Sequence, residues 1–127
     1  MRILLVDDSQ TMLSMTRSVV AAMGSHQIEE AANGQEALVK CAWFRPELIL
    51  CDWSMPVLDG LGFVKALRRI DTATPVIMVS TEREPSSIAE AFAAGANQYV
   101  VKPFAPDLLR RRIQETLDRR SPRRAAA

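Results

Sequence analysis

Short apolar runs alternate with helical patterns along the whole chain, and this alternation limits the possible fold more than any other feature. Strand-like runs occupy residues 3–6, 27–31, 48–51, 76–79 and 99–101, and all of them except the weaker second one are apolar. The third and fourth runs are continuously apolar, as expected of strands buried on both faces, whereas Ile28 stands among Glu29 and Glu30, which suits a sheet edge. Because helical patterns separate the runs, the sequence predicts an α/β three-layer sandwich, in which a five-stranded parallel sheet is covered by helices on both faces.

Capping and breaking residues predict where the helices begin and end. Ser9 is suited to cap the first helix and Gly24 to end it. The pair at residues 33–34 (Asn-Gly) predicts a turn before the second helix, while Pro85 opens the fourth helix and Gly95 ends it. Helical spacing assigns these apolar residues to the buried faces of the five helices in turn: Met12, Met15, Val19 and Met23; Ala37, Leu38, Cys41 and Ala42; Leu61, Val64 and Leu67; Ile88, Ala91 and Phe92; Leu109, Ile113 and Leu117.

The length and composition fit a single globular domain of ordinary size. The chain has 127 residues, of which 48% are hydrophobic and 24% are charged, so it can bury a core without disulfides or a structural metal. Cys41 and Cys51 belong to no metal-binding or redox motif, and we interpret both as small buried hydrophobes in a reducing compartment. The first apolar run is too short for a signal peptide or a membrane span, which favours a cytoplasmic protein without a membrane partner.

Arginines are concentrated near the C-terminus. They are Arg110, Arg111, Arg112, Arg119, Arg120, Arg123 and Arg124. One interpretation is a patch that binds nucleic acid or an acidic partner; the other is the solvated face of the last helix followed by a tail. No aromatic residues are interleaved with the arginines, which counts against nucleic-acid binding. We therefore predict a folded domain over residues 1–120 and a disordered basic tail over residues 121–127.

Acidic residues follow two of the predicted strands. Asp7 and Asp8 end the first strand and Asp52 ends the third. In the flavodoxin-like strand order 2-1-3-4-5 these two strands are neighbours at the switch point, and ligands bind at the carboxyl edge of the sheet there. Three carboxylates brought together repel one another. The repulsion between one pair ~4 Å apart is about 4 kcal/mol. A cation offsets this repulsion, and oxygen ligands with room for water suit Mg²⁺.

Two further polar residues end the remaining buried strands at the same edge. Ser80 follows the fourth strand and Lys102 follows the fifth. A lysine ammonium can pair with one phosphoryl oxygen, and a serine hydroxyl can donate to another. Taken singly, each residue has an ordinary structural role, since Ser80 can cap a helix and Lys102 can be a solvated loop residue. Together with the carboxylates they supply the positioning and charge that phosphoryl transfer needs.

Four motifs in order along the chain resemble the response-regulator receiver family. They are Val-Asp-Asp-Ser at 6–9, Asp-Trp-Ser-Met-Pro at 52–56 with Asp-Gly at 59–60, Val-Ser-Thr at 79–81, and Val-Lys-Pro-Phe at 101–104. The resemblance covers residues 1–117, and the block from Gly95 to Phe104 is similar to the single-domain, CheY-like chemotaxis branch. It implies the flavodoxin-like (βα)5 fold.

The resemblance also implies a role for each site residue. Asp52 is the phosphorylated nucleophile, and Lys102 binds the phosphoryl group. The peptide bond between Lys102 and Pro103 is cis. Ser80 is the switch hydroxyl, and Tyr99 turns inward as Ser80 moves. The Mg²⁺ ligands implied are Asp7 or Asp8, Asp52 and the backbone carbonyl of Ser54.

The function that the resemblance implies is two-component signal transduction. A histidine kinase donates the phosphoryl group, and the phosphorylated chain binds a downstream protein, which in chemotaxis is a flagellar-motor switch protein. Catalysis extends only to the chain's own phosphorylation and dephosphorylation. A receiver of another phosphorelay and a receiver cut from a transcriptional regulator remain alternatives, as do a monomer and a weak phosphorylation-dependent dimer. A phosphatase on the same fold is disfavoured, because no histidine or cysteine pair that could act as nucleophile and base stands at the strand ends.

Overall fold

The computed structural model describes the backbone of residues 1–126 and the side chains of residues 1–119. Five strands alternate with five helices, and all strand pairs are parallel in the order β2-β1-β3-β4-β5. The predicted fold class and strand order are therefore confirmed. The elements are β1 Arg2–Val6, α1 Gln10–Ala22, β2 Gln27–Ala31, α2 Gly34–Phe44, β3 Leu48–Cys51, α3 Gly60–Arg68, β4 Val76–Ser80, α4 Pro85–Ala94, β5 Gln98–Val101 and α5 Pro106–Ala126.

Two hydrophobic cores lie on opposite faces of the sheet. Alternate residues of β1 point to opposite sides, so that Leu4 joins the core under α2, α3 and α4, whereas Leu5 joins the core under α1 and α5. Both side chains are almost fully buried. Burial of each such leucine stabilises the fold by roughly 1.5–3 kcal/mol. The two cores together fix the positions of the strand ends.

The helix boundaries largely follow the predicted capping residues. The Ser9 hydroxyl accepts a hydrogen bond from the backbone N–H of Met12 at 3.3 Å, and α4 runs from Pro85 to a C-cap at Gly95. The predicted turn at residues 33–34 is wrong, because Asn33 is the N-cap of α2 and its side chain accepts from the N–H of Glu36 at 2.9 Å. Asparagine favours both turns and N-caps by the same kind of hydrogen bond to its own backbone, so the dipeptide alone does not separate them.

The buried faces of three helices differ from the predicted ones, and in α2 the residue Ala42, predicted to face inward, is exposed. In α1 the buried residues are Leu13, Thr16 and Val20, and Met15 is 42% exposed. In α4 Phe92 is 44% exposed. In α1, apolar residues at helical spacing lie on more than one face, so periodicity offers two orientations and packing against the sheet selects one.

The prediction that both cysteines are buried holds for one of them. Cys51 is fully buried, whereas Cys41 is partly buried at the margin of the same core. Burial raises the pKa of Cys41 to about 11 and that of Cys51 well above its usual range. Both are therefore protonated thiols at neutral pH, and neither is a reactive thiolate.

Two further predictions concern the sheet edge and the tail. β2 is an edge strand, as its charged residues predicted. Its Glu30 forms a salt bridge with Arg17, whose Nε lies 2.9 Å from Glu30 Oε2. The predicted tail at residues 121–127 falls on positions whose side chains lie outside the described residues, so it stays a prediction, as does the boundary at residue 120. Within the described part of the chain, no helix is both long and apolar enough to cross a membrane.

The loop between β3 and α3 contains a strained valine. Val57 has a φ of 69° and is 81% exposed, and a β-branched residue is disfavoured in this left-handed region. We expect Val57→Asn to raise the free energy of unfolding by about 1 kcal/mol, because asparagine tolerates this conformation better. Urea titration measures the change.

The matched control for this substitution is Val39→Asn, which removes an exposed valine from α2, where the backbone is helical. Val39 is 56% exposed, and its replacement is expected to change stability by no more than about 0.5 kcal/mol. Equal effects at the two positions would show that backbone strain at Val57 does not matter.

Candidate functional site

The residues predicted to carry chemistry lie at the carboxyl edge of the sheet. Asp7 and Asp8 follow β1, Asp52 follows β3, Ser80 is the last residue of β4, and Lys102 follows β5. The strand register pairs Val6 with Cys51 and Ser80 with Val101, which brings these strand ends level with one another. The parallel sheet therefore gathers residues that are far apart in sequence.

The three aspartates form a compact acidic cluster. One carboxylate oxygen from each of Asp7, Asp8 and Asp52 lies within 4.8 Å of the other two. Asp7 is 6% exposed and Asp52 8% exposed, whereas Asp8 is open to solvent. Backbone N–H groups orient the two buried carboxylates, since Ser9 donates to Asp7 Oδ1 at 2.9 Å and Trp53 donates to Asp52 Oδ1 at 2.8 Å.

The ammonium group of Lys102 lies against this cluster. Its Nζ is 2.9 Å from Asp7 Oδ2 and 3.5 Å from Asp52 Oδ2, and the residue is 8% exposed. The peptide bond between Lys102 and Pro103 is cis. One buried cation thus faces two buried carboxylates, so part of the negative charge is left for a further cation to offset.

Burial determines the protonation behaviour of Asp52. Removal from water raises the pKa of this carboxyl group above its usual value, and the neighbouring charge of Asp7 raises it further. The ammonium group of Lys102 and the Trp53 N–H act in the opposite direction. Because burial and Asp7 disfavour the charged form of Asp52, a nearby cation or a bound proton stabilises this side chain.

A cation with oxygen ligands fits this donor set. Carboxylates from two strand ends, one of them exposed, provide hard oxygen atoms and leave room for water, as Mg²⁺ prefers. Ser54 lies on the wall of a neighbouring cleft of about 490 Å³, which Trp53, Asp59, Ser80 and Glu82 also line. The predicted role of the Ser54 carbonyl as a ligand stays a prediction.

Ser80 and Tyr99 are connected through the loop after β4. The Ser80 hydroxyl is buried, and it accepts a hydrogen bond from the N–H of Glu82 at 3.2 Å. The Tyr99 hydroxyl donates to the carbonyl of Glu82 at 2.6 Å. Burial raises the pKa of Tyr99, so the phenol remains a donor at neutral pH. Ser80 and Tyr99, the two residues predicted to act as switch elements, are therefore both hydrogen-bonded to the backbone of Glu82.

Two residues beside the site were given no role in the sequence analysis. Gly60, the first residue of α3, packs so closely that a Cβ atom there would lie 2.0 Å from the carbonyl oxygen of Asp52. Arg83 donates from Nη2 to the carbonyl of Lys102 at 3.2 Å. The glycine stands within a quoted motif, so its place was visible in the sequence, whereas nothing in the sequence marks the arginine.

Comparison with known proteins yields one family and a consistent set of similar chains. The sequence matches the family described as response regulator receiver domain over residues 3–114. The chemotaxis protein CheY of Bacillus subtilis (strain 168) is 35% identical over 117 residues, which are 92% of this chain and 98% of that protein.

Solved structures show the same similarity. The structure of Vibrio cholerae chemotaxis protein CheY4 is 38% identical with a TM-score of 0.84, covering 91% of this chain and 97% of that chain. A CheY-like response regulator receiver domain protein from Methanospirillum hungatei JF-1 is 29% identical with a TM-score of 0.88, covering 96% of this chain and 97% of that one.

Proposed function

The chain belongs to the response regulator receiver domain family and is CheY-like, and from this premise we propose that Asp52 accepts a phosphoryl group from a phosphohistidine of a partner kinase. The observation that carries the proposal is the cluster of Asp7, Asp8 and Asp52 within 4.8 Å, with Lys102 against it. A receiver acts in two-component signalling, and this cluster is where its chemistry would take place.

The proposed transfer is a single displacement at phosphorus. A carboxylate oxygen of Asp52 forms the new P–O bond while the P–N bond to the donor imidazole breaks, and the electron pair of that bond goes to the imidazole nitrogen. The product is an acyl phosphate on Asp52. Water later attacks phosphorus and releases inorganic phosphate, which regenerates the carboxylate. The chain thus serves as a phosphoacceptor whose catalysis is limited to these two steps.

The residues around Asp52 position the reactants and compensate their charge. Asp7, Asp8 and Asp52, with the carbonyl of Ser54, would hold Mg²⁺, which offsets the charge that develops on the transferred group. Lys102 already contacts two of these carboxylates, so its ammonium group is close enough to pair with a phosphoryl oxygen on Asp52. The backbone N–H of Trp53 donates to Asp52 Oδ1 at 2.8 Å and so keeps the Asp52 side chain oriented.

The proposed switch uses the loop that follows β4. The Ser80 hydroxyl would donate to a phosphoryl oxygen, and its movement would be transmitted to Glu82, to which it is hydrogen-bonded. Tyr99 holds the carbonyl of the same Glu82, so its ring would follow the loop. A local charge change would thus bias the conformation of the surface around α4 and β5.

The similarity to chemotaxis proteins supports a role in chemotaxis. We propose that a histidine kinase is the phosphodonor, that a flagellar-motor switch protein is the downstream target, and that the protein acts in the cytoplasm. A phosphorelay outside chemotaxis would use the same site chemistry with another target. The two are distinguished by which partner binds more tightly to the phosphorylated chain.

Intact-mass measurement tests the proposed chemistry. We expect the chain to gain one phosphoryl group from acetyl phosphate in the presence of Mg²⁺ and to gain none when a chelator removes the metal, because the charge on the reacting group is then uncompensated. Circular dichroism of the chelated sample controls for folding. A folded chain that gains no phosphoryl group with Mg²⁺ present would contradict the proposal.

A further inference from the structure

Two reciprocal hydrogen bonds connect the end of β5 to the loop at residues 81–84. Tyr99 of β5 donates to the carbonyl of Glu82 in the loop at 2.6 Å. In the other direction, Arg83 of the loop donates to the carbonyl of Lys102 after β5 at 3.2 Å. We infer that Arg83 is a positioning residue that couples this loop to Lys102, so that the loop moves when the lysine responds to phosphorylation; this inference rests on the proposed function.

The backbone around Lys102 makes such coupling effective. The Lys102 N–H donates to the Ser80 carbonyl at 2.8 Å, which continues the sheet pairing one residue past β5. Its carbonyl oxygen accepts from Arg83. The peptide groups of Lys102 are therefore held between β4 on one side and the loop on the other. A phosphoryl group on Asp52 would draw the Lys102 ammonium away from Asp7, and any accompanying backbone shift would reach Arg83 directly.

The N-terminus of α4 is held by a hydrogen bond within the loop at residues 81–84. Its N-cap residue, Glu84, makes no side-chain capping hydrogen bond. The Glu84 N–H instead donates to the Glu82 carboxylate at 3.0 Å, so the first turn of α4 is attached to the loop rather than capped by its own side chain. Because the helix terminus follows the loop, the Arg83 contact extends the coupling from Lys102 to α4.

The contact must be tested apart from the positive charge. Arg83→Ala removes the hydrogen-bond donor and the charge together, whereas Arg83→Lys keeps the charge and an N–H donor on a side chain of nearly the same length. Arg69→Ala is the matched control, since Arg69 is an exposed arginine at the end of α3 whose side chain has no hydrogen-bond partner among the described residues. Arg83 is also exposed, so the loss of its side chain is expected to leave the chain folded.

The experiment compares backbone amide NMR shifts of the full chain with and without acetyl phosphate and Mg²⁺. In the unsubstituted protein, phosphorylation is expected to shift the amides of both Lys102 and Glu84. In Arg83→Ala the shift at Lys102 is expected to persist while the shift at Glu84 falls by at least half. Arg83→Lys is expected to retain most of the shift at Glu84, and Arg69→Ala is expected to retain all of it.

The outcomes separate this inference from the proposed function. If the unsubstituted chain shows no phosphoryl group by mass, the proposed function fails. If it is phosphorylated and Arg83→Ala keeps the full shift at Glu84, the coupling role of Arg83 is overturned. If Arg69→Ala lowers the shift at Glu84 as far as Arg83→Ala does, the effect comes from the loss of a positive charge and the positioning role is likewise overturned.

Discussion

The substitution Asp52→Asn is expected to abolish phosphoryl acceptance and to stabilise the protein at neutral pH. An amide oxygen is a poor nucleophile, so mass after incubation with acetyl phosphate and Mg²⁺ should show no phosphoryl group. The fold gains because Asp52 is buried close to Asp7, and removing one of two facing charges relieves their repulsion. Since the attraction to Lys102 is lost as well, we expect a net gain of about 1 kcal/mol.

The pH dependence of this gain has a definite sign. The pKa of Asp52 is raised in the folded state from its ordinary value of 3.8 by burial and by Asp7. Between the ordinary pKa and the raised pKa of the folded state, the folded chain binds more protons than the unfolded chain. The stability contributed by Asp52 therefore falls as the pH rises through that window. The advantage of Asp52→Asn should therefore be largest above the window and disappear as the pH falls towards 3.8.

Urea unfolding of both proteins, from neutral pH down to the onset of acid unfolding, measures this difference. A phosphoryl group on the Asp52→Asn protein would show that another residue is the acceptor. A variant that is less stable than the parent at every pH would show that pairing with Lys102 outweighs burial and repulsion at Asp52.

The strand ends could be predicted from the sequence because the relevant information is local. A continuous apolar run such as the one at residues 48–51 defines a buried strand, and the polar residue that ends it must lie at the sheet edge. The positions of Asp7, Asp52 and Lys102 follow from that rule and from parallel pairing. The orientation of α1 did not follow, because apolar residues lie on more than one of its faces and only packing selects Leu13 over Met15.

Contacts made by loops could not be predicted in this way. The path of the chain after β3 decides that Gly60 lies against Asp52, and the path after β4 decides that Arg83 reaches the carbonyl of Lys102. Neither path is specified by periodicity, because loops are fixed by hydrogen bonds and packing with distant segments. The part of the site that binds charge is therefore visible in the sequence, whereas the part that holds the acceptor in place appears only in three dimensions.

Gly60→Ala is expected to destabilise the protein by about 3 kcal/mol or more. The new Cβ would lie 2.0 Å from the Asp52 carbonyl oxygen and 2.9 Å from the Cα of Trp53. These are backbone atoms at the end of a buried strand, so they cannot move aside as a flexible side chain would. Either the start of α3 moves away, breaking the hydrogen bond from the Gly60 N–H to the Trp53 carbonyl at 2.8 Å, or the acceptor strand is displaced.

Gly62→Ala is the matched control two residues further along the same helix. Its Cβ would meet the Leu58 Cδ1 atom at 2.6 Å, a side-chain terminus that can rotate, and alanine is favoured over glycine in a helix by about 1 kcal/mol. Urea titration should therefore show a large loss at Gly60 and a change within about 1 kcal/mol at Gly62. Similar effects at both positions would mean that α3 does not need close contact with the acceptor strand. A large loss at Gly60 alone, with slower phosphorylation of the folded fraction, would show that the glycine allows α3 to hold Asp52 in position.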